Sequence, residues 1–437
     1  MNTLILSPFK NFFSDRSLKI DVIFFSILFI LLPIVLITGP AIPDIFLSLI
    51  ASYFLFKTIF NKMWHYYHNP IFYGFIIFSI YGVVRSIFSD IPIDSLSNEG
   101  SMFYFRYIFF ALGVWYLLDV NPHMSKCFLV VSILSILIVC IDGLYQYIYK
   151  INLFGNLPHA PSRLTGFFGN EPIIGRYVAY LSIFTFALIY QNFKKTKKVM
   201  ILSVAFLVIS EVIVFLSGER APLLYVSLFT FLVIVFIPYF RLYRIVGLLI
   251  SFVIIYAILQ INPAAKERML DKTLDQVSNT KFSFLPYGPH HEEHYLSAFK
   301  MFADKPIFGI GTNTFRYHCN KDKYKITKRS CSSHPHHIYI QALAELGIFG
   351  FLFLVFFYLY LTNIGIRQLF FILLSNQKKK IPFEYLLYPM ILFVYWWPLV
   401  PHMSLYNNWN NVFMMLPLGY FMRYLYNTKE NGYSNKT

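Results

Sequence analysis

Runs of about twenty apolar residues recur along most of the chain, and nothing constrains its fold more, because a helix of that length spans the hydrocarbon core of a bilayer. Backbone amides in a bilayer find no water, so each run must satisfy its own hydrogen bonds as an α-helix. Spans are expected at 20–39, 41–60, 71–88, 102–119, 127–148, 173–192, 199–217, 221–240, 243–260, 337–362, 383–400 and 410–427. With 57% hydrophobic and only 13% charged residues, a soluble globular protein is excluded. The expected class is an all-α polytopic membrane protein of about twelve transmembrane helices with one long loop carrying short helices. The start of the chain is polar, and its first apolar run lacks a small-residue cleavage site, so no cleavable signal is expected.

The spacing divides the chain into nine spans (residues 1–261), a long loop (262–335), three further spans (336–427) and a short polar tail (428–437). A net charge of +16 raises the question of nucleic acid, but the basic residues sit in connectors between spans. Lys10, Arg16 and Lys19 precede the first span, Lys57 and Lys62 follow the second, and Lys194, Lys195, Lys197 and Lys198 follow the sixth. Arg241 and Arg244 follow the eighth; Arg367 and Lys378 to Lys380 follow the tenth. All fall on one side if both termini are cytoplasmic, which is the positive-inside pattern, and nucleic acid is not expected as a partner. Alternate connectors, such as Ser89 to Glu99, are acidic or neutral.

Three connectors on the opposite, extracytoplasmic side stand out. Pro161 to Arg176 is glycine-rich and carries Arg163, Glu171 and Arg176. The short turn Ser217 to Pro222 places Arg220 at a membrane boundary, where a charge is costly unless it faces a cavity or an anion; pairing with Glu219 is the simpler reading. The long loop should hold a helix from Glu292 to Ala303 and a turn-rich stretch from Lys305 to Arg316. Its lysines and arginines, Lys321, Lys323, Lys325, Lys328 and Arg329 among them, are either a solvated face or, facing anionic lipid head groups, a means of concentrating a diphosphate. Cys319 and Cys331 lie in this loop and are expected to pair as a disulfide in an oxidising compartment, whereas Cys127 and Cys140 sit with apolar helix residues as buried thiols.

From Cys331 to Gly350 a polar loop with His334, His336 and His337 turns into the tenth span. Ser333 or His334 can cap that helix and Pro335 suits its first turn, which places His336 and His337 at the positive end of the helix dipole. A neutral imidazole is favoured there and an anion is attracted, so the position suits a base working beside a phosphate. His337, Gln341 and Glu345 recur every four residues as one polar face that must point inward; helix–helix hydrogen bonding is the alternative to chemistry. Gly347 and Gly350 would allow close helix packing. His290, His291 and His294 lack the accompanying ligands of a metal site, and Gly309 with Gly311 has no dinucleotide-fold context, so neither metal nor cofactor is expected.

His336-His337, nine residues, Gly347, two residues and Gly350 resemble the signature of the O-antigen ligase and O-antigen polymerase superfamily. Arg220 followed by Leu224 is similar to that family's arginine and leucine element, and the layout with a long loop before the histidine agrees. Two features depart from it. His337 stands where Asn, Ser or Gln is usual, and Phe351-Leu352 stand where ligases often carry two threonines.

The resemblance implies a bacterial inner-membrane glycosyltransferase that moves a glycan from an undecaprenyl diphosphate carrier to a hydroxyl of lipid A–core on the periplasmic face, with no required metal. His336 would be the base, and Arg220, with Arg163 and Arg176, would hold the diphosphate; a single displacement of this kind inverts the anomeric carbon. His337, Gln341 and Glu345 would support the site. Polymerisation onto a second carrier-linked glycan is the near alternative, and transport of a lipid-linked glycan the distant one. A transporter predicts charges spread through the bundle, whereas here the polar signal gathers at outer loops.

Overall fold

The computed structural model describes residues 2–97, 100–279, 289–374 and 381–434, so Glu99 and Lys378 to Lys380 of the orientation reading lie outside the described residues. In chain order the helices are α1 (Asn2–Ser14), α2 (Ile20–Val35), α3 (Ala41–Phe60), α4 (Pro70–Ile87), α5 (Pro92–Leu96), α6 (Arg106–Val120), α7 (Met124–Tyr149), α8 (Ile174–Asn192) and α9 (Lys197–Leu216). They continue as α10 (Arg220–Phe236), α11 (Pro238–Ile261), α12 (Pro263–Lys266), α13 (Lys272–Asn279), α14 (Pro289–Asp304), α15 (Phe315–His318), α16 (Ile338–Leu373), α17 (Phe383–Tyr395) and α18 (Asn408–Ser434). Among the described residues no β-strand forms.

A helix stands at each expected span. Among the described residues seven are long and apolar enough to cross a membrane: α2 with its continuation to Thr38, α3, α4, α7, α9, α11 and α16. Helices α10 and α17 are apolar but shorter, and α6, α8 and α18 fall outside both groups. Several starts follow from local chemistry. Asn69 caps α4 by accepting from Ile71 N at 2.9 Å with Pro70 next in line, and Thr196 caps α9 through Val199 N at 3.3 Å.

Aromatic residues dominate the core, with Phe29, Phe54, Phe110, Trp115, Tyr177, Tyr180, Tyr388 and Tyr395 fully enclosed. Helix α6 lies between α3 and α18, while α8 packs against α7, α9, α10 and α17. Large apolar side chains stay exposed on the outer surfaces, including Ile77 and Ile80 on α4, Leu242 and Phe252 on α11 and Phe356 on α16. Such a surface would aggregate in water and is the face a lipid environment requires.

Helix α11 attaches to the bundle through a polar knot. Arg244 is wholly buried and its Nη2 donates to Glu211 Oε1 and Thr230 Oγ1; Thr230 Oγ1 also donates to Glu211 Oε1 at 3.0 Å, and Ser251 Oγ donates to Glu211 Oε2. One carboxylate and one guanidinium, with two hydroxyls, thus tie α9, α10 and α11 together. The sequence places Arg244 among the connector charges; the structure instead puts it six residues inside α11, because Glu211 offers it a partner.

Above one end of the bundle, α14 and α15 form a small second core with the first turns of α16. Tyr295, Ala298, Met301, Ile310, Phe315, Ile340 and Ala344 meet there. The loop is therefore a packed cap rather than a plain connector.

Candidate active site

Helix α16 organises the site, and two features of its backbone set it up. Its cap is His337, not Ser333 or His334: the His337 side chain accepts from Ile340 N at 3.4 Å while its Nε2 meets Pro398 O at 2.9 Å. That pair of contacts requires the neutral tautomer with the proton on Nε2. Pro335 and His336 therefore precede the helix instead of forming its first turn, and His336 takes a left-handed φ of 58° that a non-glycine residue adopts only when its surroundings impose it.

The second feature is a break at Gly347, whose φ of 66° and ψ of −161° divide α16 into two halves. Carbonyls freed at the break are met from outside: Ile310 N donates to Ala344 O at 3.0 Å, Gly311 N to Glu345 O at 2.9 Å and Tyr81 Oη to Leu346 O at 2.6 Å. On the far side Ile348 N donates to Pro306 O at 2.9 Å. A Cβ on Gly347 would lie 2.3 Å from Ile307 O, and one on Gly309 would lie 2.4 Å from the Glu345 carbonyl carbon. Gly347 thus admits a loop segment, correcting the expectation that it admits another helix.

The polar face below His337 secures this plug. Glu345 accepts from Asn313 N and Phe315 N, each at 3.0 Å, and from Gln341 Nε2 at 3.1 Å; Gln341 also accepts from Leu405 N at 2.9 Å. Both side chains are buried and committed to backbone, so they position the site.

Six histidines converge near the start of α16. The His336 ring centroid lies 4.2 Å from His334, 5.2 Å from His291 and 5.4 Å from His294; His337 lies 5.4 Å from His402, whose backbone N donates to His336 O at 2.9 Å. Burial pushes the imidazoles down, His336 to about 2, His334 to about 3 and His337 to about 4. Neighbouring His334, His291 and His294 and the charge of Arg176 act in the same direction on His336. Its neutrality thus comes first from burial, not from the dipole of a helix it precedes. Among the described residues no group of three His, Cys, Asp or Glu side chains is arranged to hold a metal ion. The loop leading to His334 is tethered by a Cys319–Cys331 disulfide, Cα to Cα 4.9 Å.

Guanidinium groups gather beside the histidines around a single carboxylate. Gly218, at φ 71°, turns the chain so that Glu219 points inward and accepts from Gly175 N at 2.6 Å. Burial pushes Glu219 up to about 7, against the pull of Arg176 and Arg163. Arg220 donates to Gln276 Oε1 and to Arg268 O, and Arg268 Nε donates to Gly218 O at 2.8 Å. Arg163 donates to Pro172 O at 3.3 Å and senses Glu219 and Arg176. Burial, then Arg163 and Arg220, lower Arg268 to about 10. Arg176 joins the two groups, since its charge acts on Glu219 and also on His334, His336 and His402.

Arg163, Arg176, Arg220 and His336 are all only partly buried and come to one end of the bundle. His402, His291, His294 and Arg268 were not foreseen as part of it. For His402 a signal existed, because the expected order of twelve spans would put the 400–410 connector on the same side as His336. Arg268 gives none, being one cation in a long polar loop.

Fold and site together define a multi-pass membrane protein with imidazoles and an excess of guanidinium groups at one end. Residues 204–355 match the family described as O-antigen ligase, which supports the resemblance to the O-antigen ligase and polymerase superfamily. The match runs from α9 into α16 and takes in Glu219, Arg220, Arg268, His336, Gly347 and Gly350. No curated protein matches the chain.

Proposed function

We propose that the chain transfers a glycan from a polyprenyl diphosphate carrier, undecaprenyl diphosphate in bacteria, to a hydroxyl of lipid A–core at the periplasmic face of the inner membrane. The observation that carries this reading is Arg176, which stands between the arginine group and the imidazole of His336. A diphosphate placed on Arg163, Arg176, Arg220 and Arg268 would bring its anomeric carbon toward a neutral imidazole.

His336 removes the proton as the acceptor hydroxyl oxygen bonds to that carbon, and the carbon–oxygen bond to the diphosphate breaks. The electron pair leaves on the diphosphate oxygen, where the guanidinium groups stabilise it. One displacement inverts the anomeric centre. A bound diphosphate also offsets Arg176, one of the charges holding His336 neutral, and so raises its basicity when the donor is present. Supporting roles fall to His337, Gln341 and Glu345, which hold the cap and the loop around the base. The Cys319–Cys331 bridge, which fits an oxidising compartment, fixes the approach to His334.

Phe351 and Leu352, which replace the threonines often seen in ligases, favour the second reading, polymerisation onto another carrier-linked glycan. Purified protein given a carrier-linked glycan with either lipid A–core or a second carrier glycan decides between them by its product. His336→Ala is expected to lower either transfer by about 10²–10⁴-fold. Undiminished transfer would sink the mechanism, and transport without transfer would replace it with the transporter reading.

A further inference from the structure

On a different face, a cavity of ≈ 730 Å³ opens between the end of α4 and the segment that plugs the α16 break. Its walls include Val84, Phe88, Ile307 and Phe308, each between 46% and 75% exposed, which is the surface an apolar chain would cover. Arg85 and Lys305 supply the charge. Arg85 is buried, and it donates to Phe88 O at 2.6 Å, Phe308 O at 2.9 Å and Gly309 O at 2.7 Å. Among the described residues no carboxylate forms a salt bridge with it. Asp90, whose charge Arg85 senses, is held by Lys305 at 2.7 Å and also senses Lys321. Arg85 and Lys305, both in the cavity wall, therefore share one carboxylate beside an apolar groove.

We propose that this cavity binds an anionic phospholipid of the surrounding bilayer, its phosphodiester at Lys305 and one acyl chain along Val84, Phe88, Ile307 and Phe308. A phosphodiester fits better than a diphosphate, because each Arg85 nitrogen already donates to a carbonyl and Lys305 at the rim is shared with Asp90, so the cavity offers a single net positive charge. The four guanidinium groups around Glu219 already offer the stronger site for a diphosphate. The occupant would press on Pro306 to Gly309, the residues that enter the α16 break, and so steady the plug beneath the cap.

The test uses the full chain in detergent with phosphatidylglycerol or phosphatidylcholine, read by native mass spectrometry. Phosphatidylglycerol is expected to be retained about fivefold more strongly, and Lys305→Glu is expected to abolish the preference. Phosphatidylglycerol with a photoreactive acyl chain is expected to label residues 84–88 or 305–309 of the unaltered protein. Val84→Trp, which fills the groove from its exposed side, is expected to suppress that labelling. Equal retention of the two lipids, labelling only elsewhere, or labelling indifferent to Val84→Trp would each overturn the proposal. Displacement of the label by polyprenyl diphosphate but not by unlabelled phosphatidylglycerol would overturn the phospholipid assignment.

Discussion

Glu211 and Glu219 lie eight residues apart and are both buried, yet their surroundings differ in one respect that separates structure from chemistry. Glu211 meets one guanidinium and two hydroxyls, and its charge is balanced inside the bundle. Glu219 faces Arg163, Arg176 and Arg268, with Arg220 joined to them through Arg163 and Arg268, a charge that it cannot balance. A balanced buried pair holds helices together, whereas an excess of partly buried cations awaits an anion. Under the proposed function, the count of charges around each carboxylate, more than its depth, is what would place Glu219 and not Glu211 at the substrate.

The contrast is open to experiment. Arg244→Met leaves Glu211 buried without its cation and is expected to lower stability by about 3–5 kcal/mol, measured by denaturation in detergent. Adding Glu211→Gln should recover most of that loss. A single variant as stable as the parent would remove the structural role given to the pair. Arg220→Ala, on the other side of the comparison, is expected to reduce transfer about 10²–10³-fold with little change in melting; a loss of stability matching that of Arg244→Met would erase the distinction. Gly347→Ala forces an alanine into a left-handed backbone against Ile307 O and should cost about 1–3 kcal/mol, read as a lower melting temperature.

A further effect is in pH. His334 and His337 have folded pKa values lowered to about 3 and about 4, below the ordinary imidazole value. The unfolded chain therefore binds more protons at mildly acidic pH. Stability from these groups is complete above about pH 6.5 and falls as pH drops toward the folded values, with a limiting slope of about 1.4 kcal/mol per unit for each histidine. Melting temperatures unchanged between pH 7.5 and 5 would show that these imidazoles are hydrated.

The helices were legible because apolar length is a local property. Arg220 and His336 were legible as charged or titratable groups at helix ends, sharpened by their spacing from Leu224, Gly347 and Gly350. The site around them was less so. The α16 break depends on a loop some forty residues earlier, and a glycine in an apolar run looks the same whether it admits a helix or a plug. The cap residue shifted from Ser333 or His334 to His337 because Pro398 and Ile340 together fix that imidazole. Arg268 reaches the cluster only through the fold of the long loop.

The plug at Gly347 has a consequence for how the chain is made. Tyr81, Ile310 and Gly311, which serve the three carbonyls at the break, all leave the ribosome before Ala344, Glu345 and Leu346. When the helix is synthesised, its partners already exist and no open carbonyl need wait in the lipid for a later segment. Moving the loop to the C-terminal side of the helix, by circular permutation, would reverse that order while leaving every native contact available.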